Sequence, residues 1–184
     1  TYTKAATGGY VVSMTMYGDC SSPWNSNFPS AVTMRAYDAA TGVKLTNNFT
    51  LTSDSVIPVP NNVNTNCVTG LPSFCVEKRI YTATWNYTGS AVKGIDFEYW
   101  LCCRNATISN LNNPNTTGMR YRTTVFPGGV GIVNSTPVFT VDPPTIVAAG
   151  KPTTVDFEAT DADGDSLYYE FTNALNRWGN SVSY

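Results

Sequence analysis

Apolar and polar residues alternate along most of this chain with the two-residue period of β-strands. The clearest case is the segment 10–17, in which every second residue falls on one apolar face: Tyr10, Val12, Met14 and Met16. Similar alternation predicts strands in six later segments: 31–37, 44–52, 76–87, 95–103, 119–126 and 137–141. No helical stripe of useful length is present in the sequence. The pattern therefore predicts an all-β protein.

Short polar segments rich in Pro, Gly, Asn and Ser separate the predicted strands. They cover residues 21–23, 41–42, 58–66, 88–90, 112–118 and 127–129. Many strands joined by polar turns at this spacing are typical of an antiparallel β-sandwich. We predict such a sandwich as the N-terminal domain, over residues 1–134.

A second domain is predicted to begin at residue 135. The segment 134–144 ends in Pro143 and Pro144, which force extended backbone and predict a linker. The following segments 145–148, 153–158 and 167–171 predict three or four strands, whereas an Ig-like domain has about seven. Residues 135–184 are therefore predicted to be a partial Ig-like or cadherin-like domain. Two alternatives remain open: the chain is cut from a longer one, or a neighbouring chain adds the missing strands.

Composition restricts the classes of function. Only 13% of the residues are charged, about half the usual share, and the net charge is −2, so neither nucleic acid nor an anionic membrane is an expected partner. The chain has no histidine, which excludes His-based triads and His-ligated zinc. No apolar run approaches the roughly 20 residues of a membrane-spanning helix. The chain begins in polar β-like sequence, as expected of a processed, mature protein.

Five cysteines indicate an oxidising compartment with two disulfides and one cysteine left over. Cys67 and Cys75 bracket a short loop, so we predict that they pair. Cys20 ends the first long strand and is predicted to pair with Cys102 or Cys103. A redox or metal site at the adjacent Cys102 and Cys103 is the alternative, but no other ligand type clusters near them in the sequence.

Three aspartates, Asp161, Asp163 and Asp165, alternate around Gly164 between two predicted strands. Carboxylates gathered at such a turn suit calcium, which takes six to eight oxygen ligands. The alternative is a solvated turn in which the aspartate side chains bond to the backbone. Calcium is the only cofactor that the sequence suggests.

Aromatic residues suggest a second kind of ligand. Four tryptophans and eleven tyrosines could supply a carbohydrate-binding platform. Trp85 and Trp100 lie inside strand patterns and are predicted to belong to the core. Trp24 lies in a loop of Ser, Pro and Asn and is the candidate for a surface ligand site.

Four stretches of this chain together resemble a known family: Met16–Cys20, Trp100–Asn110, Asn134–Thr140 and Ala159–Leu167. They are similar to the N-terminal region of very large secreted surface proteins of Bacteroidetes, which resemble gliding-motility adhesins. The resemblance implies an extracellular or cell-surface location and secretion by the type IX system, although the sorting domain of that system is not in this sequence. It also implies that the partners are other domains of the same long chain or neighbouring filament subunits.

Glycosylation has two candidate patterns. Five Asn-x-Ser/Thr sequons are candidate acceptors in a eukaryotic or archaeal secretory setting: Asn48, Asn86, Asn105, Asn115 and Asn134. The resemblance instead implies O-glycosylation of Asp-Ser/Thr followed by a small or apolar residue. Ser55 and Ser166 match that second pattern.

Three functions follow from these features. The low charge and the incomplete second domain favour a non-enzymatic structural or adhesive module of a cell-surface protein or filament. The alternative is a carbohydrate-binding module that uses surface aromatics such as Trp24 to bind surface glycans. An enzyme acting on polysaccharides is not supported, because the sequence shows no nucleophile–base pair and no phosphate-binding loop.

Overall fold

The computed structural model describes residues 1–5, 9–20, 28–46, 48–53, 55–60, 75–87, 94–126, 134–147, 150 and 152–182. Ten strands run through these residues: β1 Tyr2–Lys4, β2 Tyr10–Asp19, β3 Ala31–Asp38, β4 Phe49–Thr52, β5 Val56–Pro58, β6 Val76–Trp85, β7 Ile95–Leu101, β8 Met119–Val125, β9 Val138–Phe139 and β10 Ala159–Thr160. A short 3-10 turn spans Pro114–Thr116. The described part of the chain contains no helix of the length and apolarity needed to cross a membrane.

The first eight strands form one antiparallel sheet in the order β1-β2-β6-β4-β3-β7-β8, and β5 pairs with β6 beside β4. Strand β3 changes partner along its length: its first half, Ala31–Met34, pairs with β4, and its second half, Arg35–Asp38, pairs with β7. This change bends the sheet around the core into a nearly closed, barrel-like form. The prediction of an all-β, antiparallel protein is confirmed. The Ig-like arrangement stays a prediction.

An aromatic cluster fills the interior of this curved sheet. The Phe97 ring of β7 lies 5.1 Å from the Trp85 ring, 5.8 Å from the Phe49 ring and 6.1 Å from the Tyr10 ring, measured between centroids. The predicted apolar face of β2 joins the same core, with Val12 fully buried. Because side chains alternate across a strand, this packing of Phe97 places its neighbours on β7 on the opposite face of the sheet.

One disulfide joins the ends of two neighbouring strands. Strands β2 and β6 pair in a register that places Asp19 opposite Val76, so Cys20 and Cys75 come next to each other. Their Cα atoms are 4.9 Å apart and their sulfurs are bonded. The predicted bridge between Cys67 and Cys75 is therefore wrong, because strand register, and not closeness in sequence, selects the partner. Cys67 lies outside the described residues.

The second disulfide links Cys102 to Cys103, directly after β7. The predicted bridge from Cys20 to one of these two cysteines is wrong, since Cys20 is already paired with Cys75. Disulfide bonding itself, predicted from the number of cysteines, is confirmed.

The C-terminal part of the chain is less regular than its pattern predicts. Strands β9 and β10 form a separate two-stranded sheet, and the described residues of the predicted strands 145–148, 153–158 and 167–171 have no strand structure. Their sequences alternate, but no neighbouring strand among the described residues supplies the ladder of hydrogen bonds. Apolar side chains such as Phe157 and Phe171 are exposed as a result. The domain boundary at residue 134 stays a prediction.

The segment that follows residue 134 is tied to the main sheet at two places. Thr136 exchanges hydrogen bonds with the backbone of Tyr2 in the edge strand β1. Further along, the Asp142 carboxylate accepts hydrogen bonds from the Lys78 ammonium at 2.7 Å and from the Tyr17 hydroxyl at 2.8 Å. We call this second contact, made by Asp142, Lys78 and Tyr17, the Asp142 latch.

The Asp142 latch should weaken in acid. The hydrogen bond from Lys78 holds the pKa of the Asp142 carboxyl below its usual value. The stability it contributes is therefore present above the unfolded pKa, about 3.9, and is lost as the pH falls through the lowered folded pKa. We expect Asp142→Asn to lower the free energy of unfolding by about 1 kcal/mol at pH 7.

Denaturant unfolding at pH 7 and at pH 2.5 checks this prediction. The difference between the wild type and Asp142→Asn should be smaller at the lower pH. Glu170→Gln is the matched control, because Glu170 is exposed and forms no ion pair with any described residue. An Asp142→Asn deficit that is equal at the two pH values would contradict the latch.

Candidate functional site

The outer face of β7 carries charged and aromatic side chains instead of apolar ones. Asp96, Glu98 and Trp100 share this face because they are spaced two residues apart, on the side opposite Phe97. The register of the neighbouring strands brings five more side chains to the same face: Arg35 and Tyr37 from β3, and Arg120, Arg122 and Thr124 from β8. The strand pairing therefore builds a polar surface directly over the aromatic core.

Both carboxylates on this face are held by β8. Glu98 is only 2% exposed and forms an ion pair with Arg120. Asp96 accepts a hydrogen bond of 2.6 Å from the Thr124 hydroxyl and a longer contact of 3.4 Å from Arg122. A buried carboxylate needs such partners, because desolvation of an unpaired charge is costly. These contacts fix the two carboxylates in position.

A turn near the C-terminus completes the surface. The Asn176 side chain accepts hydrogen bonds from the backbone N–H groups of Trp178 and Asn180, and Gly179 adopts a φ of 83° that favours glycine. The Arg104 guanidinium donates to the carbonyl of Leu175 at 3.0 Å and ties the turn to the loop after β7. The turn thereby lies against β7 and β8.

Guanidinium and indole groups stack where this turn meets the sheet. The Arg35 guanidinium carbon lies 3.9 Å from the Trp100 ring centroid. The Arg177 guanidinium carbon lies 4.2 Å from the Trp178 centroid and 5.9 Å from the Trp100 centroid. Such cation–π contacts orient both indole rings. Trp100 is therefore part of this surface, and the prediction that it belongs to the core is wrong, whereas the prediction for Trp85 is confirmed.

The sheet face and the turn enclose a groove of about 400 Å³. We call it the β7 groove; its lining residues are Tyr37, Ala39, Gly42, Asp96, Glu98, Trp100, Arg120, Arg122, Arg177 and Trp178. Its size falls within the range of roughly 300–1,000 Å³ that is usual for ligand sites. It combines flat aromatic surface with planar, charged hydrogen-bonding groups. This combination is suited to a ligand that has both apolar faces and polar edges.

Sequence reasoning missed most of the β7 groove. One signal is present in the sequence, because Asp96, Glu98 and Trp100 alternate within a strand whose other face is apolar, which assigns these three side chains to one outward face. Arg120 and Arg122 repeat the pattern in β8. No local signal places Trp178 there, since its position depends on how the C-terminal turn folds back. The predicted ligand residue, Trp24, lies outside the described residues.

Two of the three carboxylates in the predicted calcium loop, those of Asp161 and Asp163, accept hydrogen bonds from the protein backbone. Asp161 accepts hydrogen bonds from the backbone N–H groups of Asp163 at 2.9 Å and Asp165 at 3.3 Å. This is the turn with side-chain-to-backbone bonds that the sequence offers as the alternative to a calcium site. Asp163 accepts a hydrogen bond of 2.6 Å from the backbone of Ser135 and so anchors the start of the linker. These hydrogen bonds give the loop a structural role. Calcium stays a prediction.

A different group of potential metal ligands lies elsewhere. Among the residues that the structure describes, a close group of three or more is formed by Cys20, Cys75 and Glu77. The two sulfurs of this group are bonded to each other, so they are not thiolate ligands. This group does not suit a metal ion.

The candidate glycosylation residues lie mainly on the surface. Ser55 and Ser166 are exposed, and so are four of the asparagines: Asn48, Asn86, Asn105 and Asn115. Asn134 is half-buried. The Asn105 side chain accepts hydrogen bonds from the backbone and the hydroxyl of Thr107 in its own sequon. Modification at any of these residues stays a prediction.

Comparisons with known protein families, with curated proteins and with solved structures found no match to this chain.

Proposed function

We propose that this chain is an extracellular, non-enzymatic adhesive module that attaches a large cell-surface protein to saccharides through the β7 groove. The observation that carries the proposal is the indole of Trp178, which is 70% exposed beside the arginines and carboxylates of the groove. Carbohydrate binding is the alternative function that the aromatic content of the sequence suggests. The groove makes it the mode of adhesion that the geometry supports best.

The chemistry of the groove suits a pyranose ring. One face of such a ring is lined by C–H groups, which pack on a flat indole, while its hydroxyls need donors and acceptors at the edges. The guanidinium of Arg122 supplies donors, and the carboxylate of Asp96 supplies acceptors, whereas Glu98 is buried and serves to hold Arg120 in place. Trp100 and Trp178 supply the flat surfaces. A saccharide would thus find apolar and polar partners in one place.

The groove is also preorganised, which favours binding. The strands β7 and β8 fix the carboxylates and arginines, and stacking on Arg177 orients Trp178. A rigid site loses little side-chain entropy when a ligand binds. Two carboxylates are also the minimum for glycoside hydrolysis. Here each carboxylate is held by side chains of β8, an arrangement that supports binding over catalysis.

The extracellular part of the proposal rests on other features. The two disulfides support an oxidising compartment, because such bonds are rare in reducing ones. The low proportion of charged residues and the resemblance to Bacteroidetes surface proteins support the same location. Secretion by the type IX system and a part in gliding motility are proposals that rest on that resemblance alone.

Oligosaccharide binding tests the proposal. A glycan array should identify bound saccharides, and calorimetry should show that Trp178→Ala weakens their binding at least tenfold, about 1.4 kcal/mol, because the stacking surface is lost. Tyr168→Ala is the matched control, since Tyr168 is exposed but lies outside the groove. Failure of the wild type to bind any saccharide, or equal binding by Trp178→Ala, would overturn the proposal.

A structural role in a filament is the second candidate. Several apolar side chains of the C-terminal part are exposed, among them Phe157, Tyr168 and Phe171. Large apolar side chains exposed in this way favour a contact with another domain or subunit. Sedimentation should then show concentration-dependent assembly that Phe171→Asp reduces. A monomer at all concentrations would contradict self-assembly.

A further inference from the structure

We infer that the β7 groove prefers acidic saccharides, whose carboxylate group binds between Arg122 and Arg177. This inference rests on the proposed function and names the class of saccharide. It follows from the balance of charge in the groove, from the partners of its arginines and from the position of one arginine beside an exposed indole.

The groove is more positive than the rest of the chain. Its lining includes three arginines, Arg120, Arg122 and Arg177, against two carboxylates, Asp96 and Glu98. The whole chain has 11 basic and 13 acidic residues, a net charge of −2. An excess of positive charge in a concave site on an acidic protein attracts anions to that site.

Two of the three arginines are available to a ligand. The Arg120 guanidinium is engaged with the buried Glu98. Arg122, in contrast, has a 53% exposed side chain, and its contact with Asp96 is long, at 3.4 Å. Arg177 stacks on indole rings and forms no ion pair with any residue that the structure describes. A guanidinium in this situation binds a carboxylate through paired hydrogen bonds.

The position of Arg177 favours an acidic sugar over an isolated anion. Its guanidinium carbon lies 4.2 Å from the centroid of the exposed Trp178 ring. In a uronic acid the carboxylate is attached to the sugar ring itself, so a ring stacked on Trp178 holds its carboxylate close to the ring edge. Stacking and charge pairing are then satisfied by one sugar residue.

A pair of matched probes tests the inference. Tetragalacturonate and its carboxyl-reduced neutral counterpart differ only in their charged groups, and calorimetry on the full chain measures the affinity of each. We expect the acidic probe to bind at least tenfold tighter at low salt, and we expect this ratio to fall as salt is added. Arg122→Gln and Arg177→Gln should each reduce the ratio toward one.

Arg79→Gln is the control for loss of charge. Arg79 lies on β6 over the Phe28 ring, outside the groove, so its removal should leave the ratio of affinities unchanged. Thermal unfolding of each variant confirms that it is folded before its binding is measured.

The outcomes separate the inference from the proposed function. Equal binding of the two probes, or a ratio that Arg122→Gln and Arg177→Gln leave intact, would overturn the acidic preference while saccharide binding stands. Absence of binding by both probes and by the whole glycan array would overturn both. Polyglutamate binding as tightly as tetragalacturonate would show a general anion site, and would overturn the assignment to a saccharide.

Discussion

Replacing both Cys20 and Cys75 by serine should lower the free energy of unfolding by about 4 kcal/mol. The bond links residues separated by 55 positions, and it therefore restricts a long loop in the unfolded chain. It also joins the ends of β2 and β6, which pair along ten residues each. Chemical denaturation under non-reducing conditions measures the loss.

The matched control replaces Cys102 and Cys103 by serine. Their disulfide links adjacent residues and closes no long loop, so we expect a loss below about 1 kcal/mol. Peptide mapping without reduction gives an independent check of the pairing. A peptide that joins Cys67 to Cys75, or equal stability of the Cys20/Cys75 variant and the wild type, would contradict the bridge between β2 and β6.

Replacing Phe97 by alanine should destabilise the protein by about 3–5 kcal/mol. Phe97 is only 1% exposed, and its ring packs edge to face on the Trp85 ring. Truncation would leave a cavity at the centre of the aromatic cluster, which the surrounding strands cannot fill without moving. Because Asp96 and Glu98 flank Phe97 on β7, the same change should also disturb the groove on the opposite face.

Tyr121→Ala is the control for the Phe97 prediction. Tyr121 lies on the neighbouring strand β8 but is largely exposed, so its loss should change the free energy of unfolding by less than about 0.5 kcal/mol. Urea denaturation of both variants at one pH makes the comparison. Similar effects of the two substitutions would show that Phe97 is not at the centre of the core.

The sequence predicts the main sheet well, because its strands are long and one face of each is buried. The alternation of Tyr10, Val12, Met14 and Met16 fixes which side of β2 faces the core, and the structure confirms it. Similar patterns locate β3, β6, β7 and β8. A two-residue period is a local property, so it can be seen in the sequence without knowledge of the partner strand.

Features that depend on distant pairing could not be predicted in this way. The partner of Cys20 is set by the register of β2 on β6, which no local pattern reveals. The segments 153–158 and 167–171 alternate like strands, yet they have no strand structure because the described residues provide no partner for them. In these cases contacts with distant parts of the chain, and not the local pattern, determine the disulfide pairing and the secondary structure.

Part of the candidate site could likewise be predicted from the local pattern, and part could not. Asp96, Glu98 and Trp100 could have been assigned to one outward face from their spacing, because charged residues at alternate positions do not suit a core. The approach of Arg177 and Trp178 to this face could not be predicted, since the turn that carries them lies far along the chain from β7. The groove exists only when the two parts of the chain come together.

The indole N–H signals of the four tryptophans provide the most direct test of saccharide binding in the β7 groove. In a titration with tetragalacturonate followed by two-dimensional NMR, the signals of Trp100 and Trp178 should shift. The signal of Trp85, which lies in the core, should remain in place. A shift confined to Trp24, or no shift in any indole signal while the saccharide binds, would contradict the assignment of the groove.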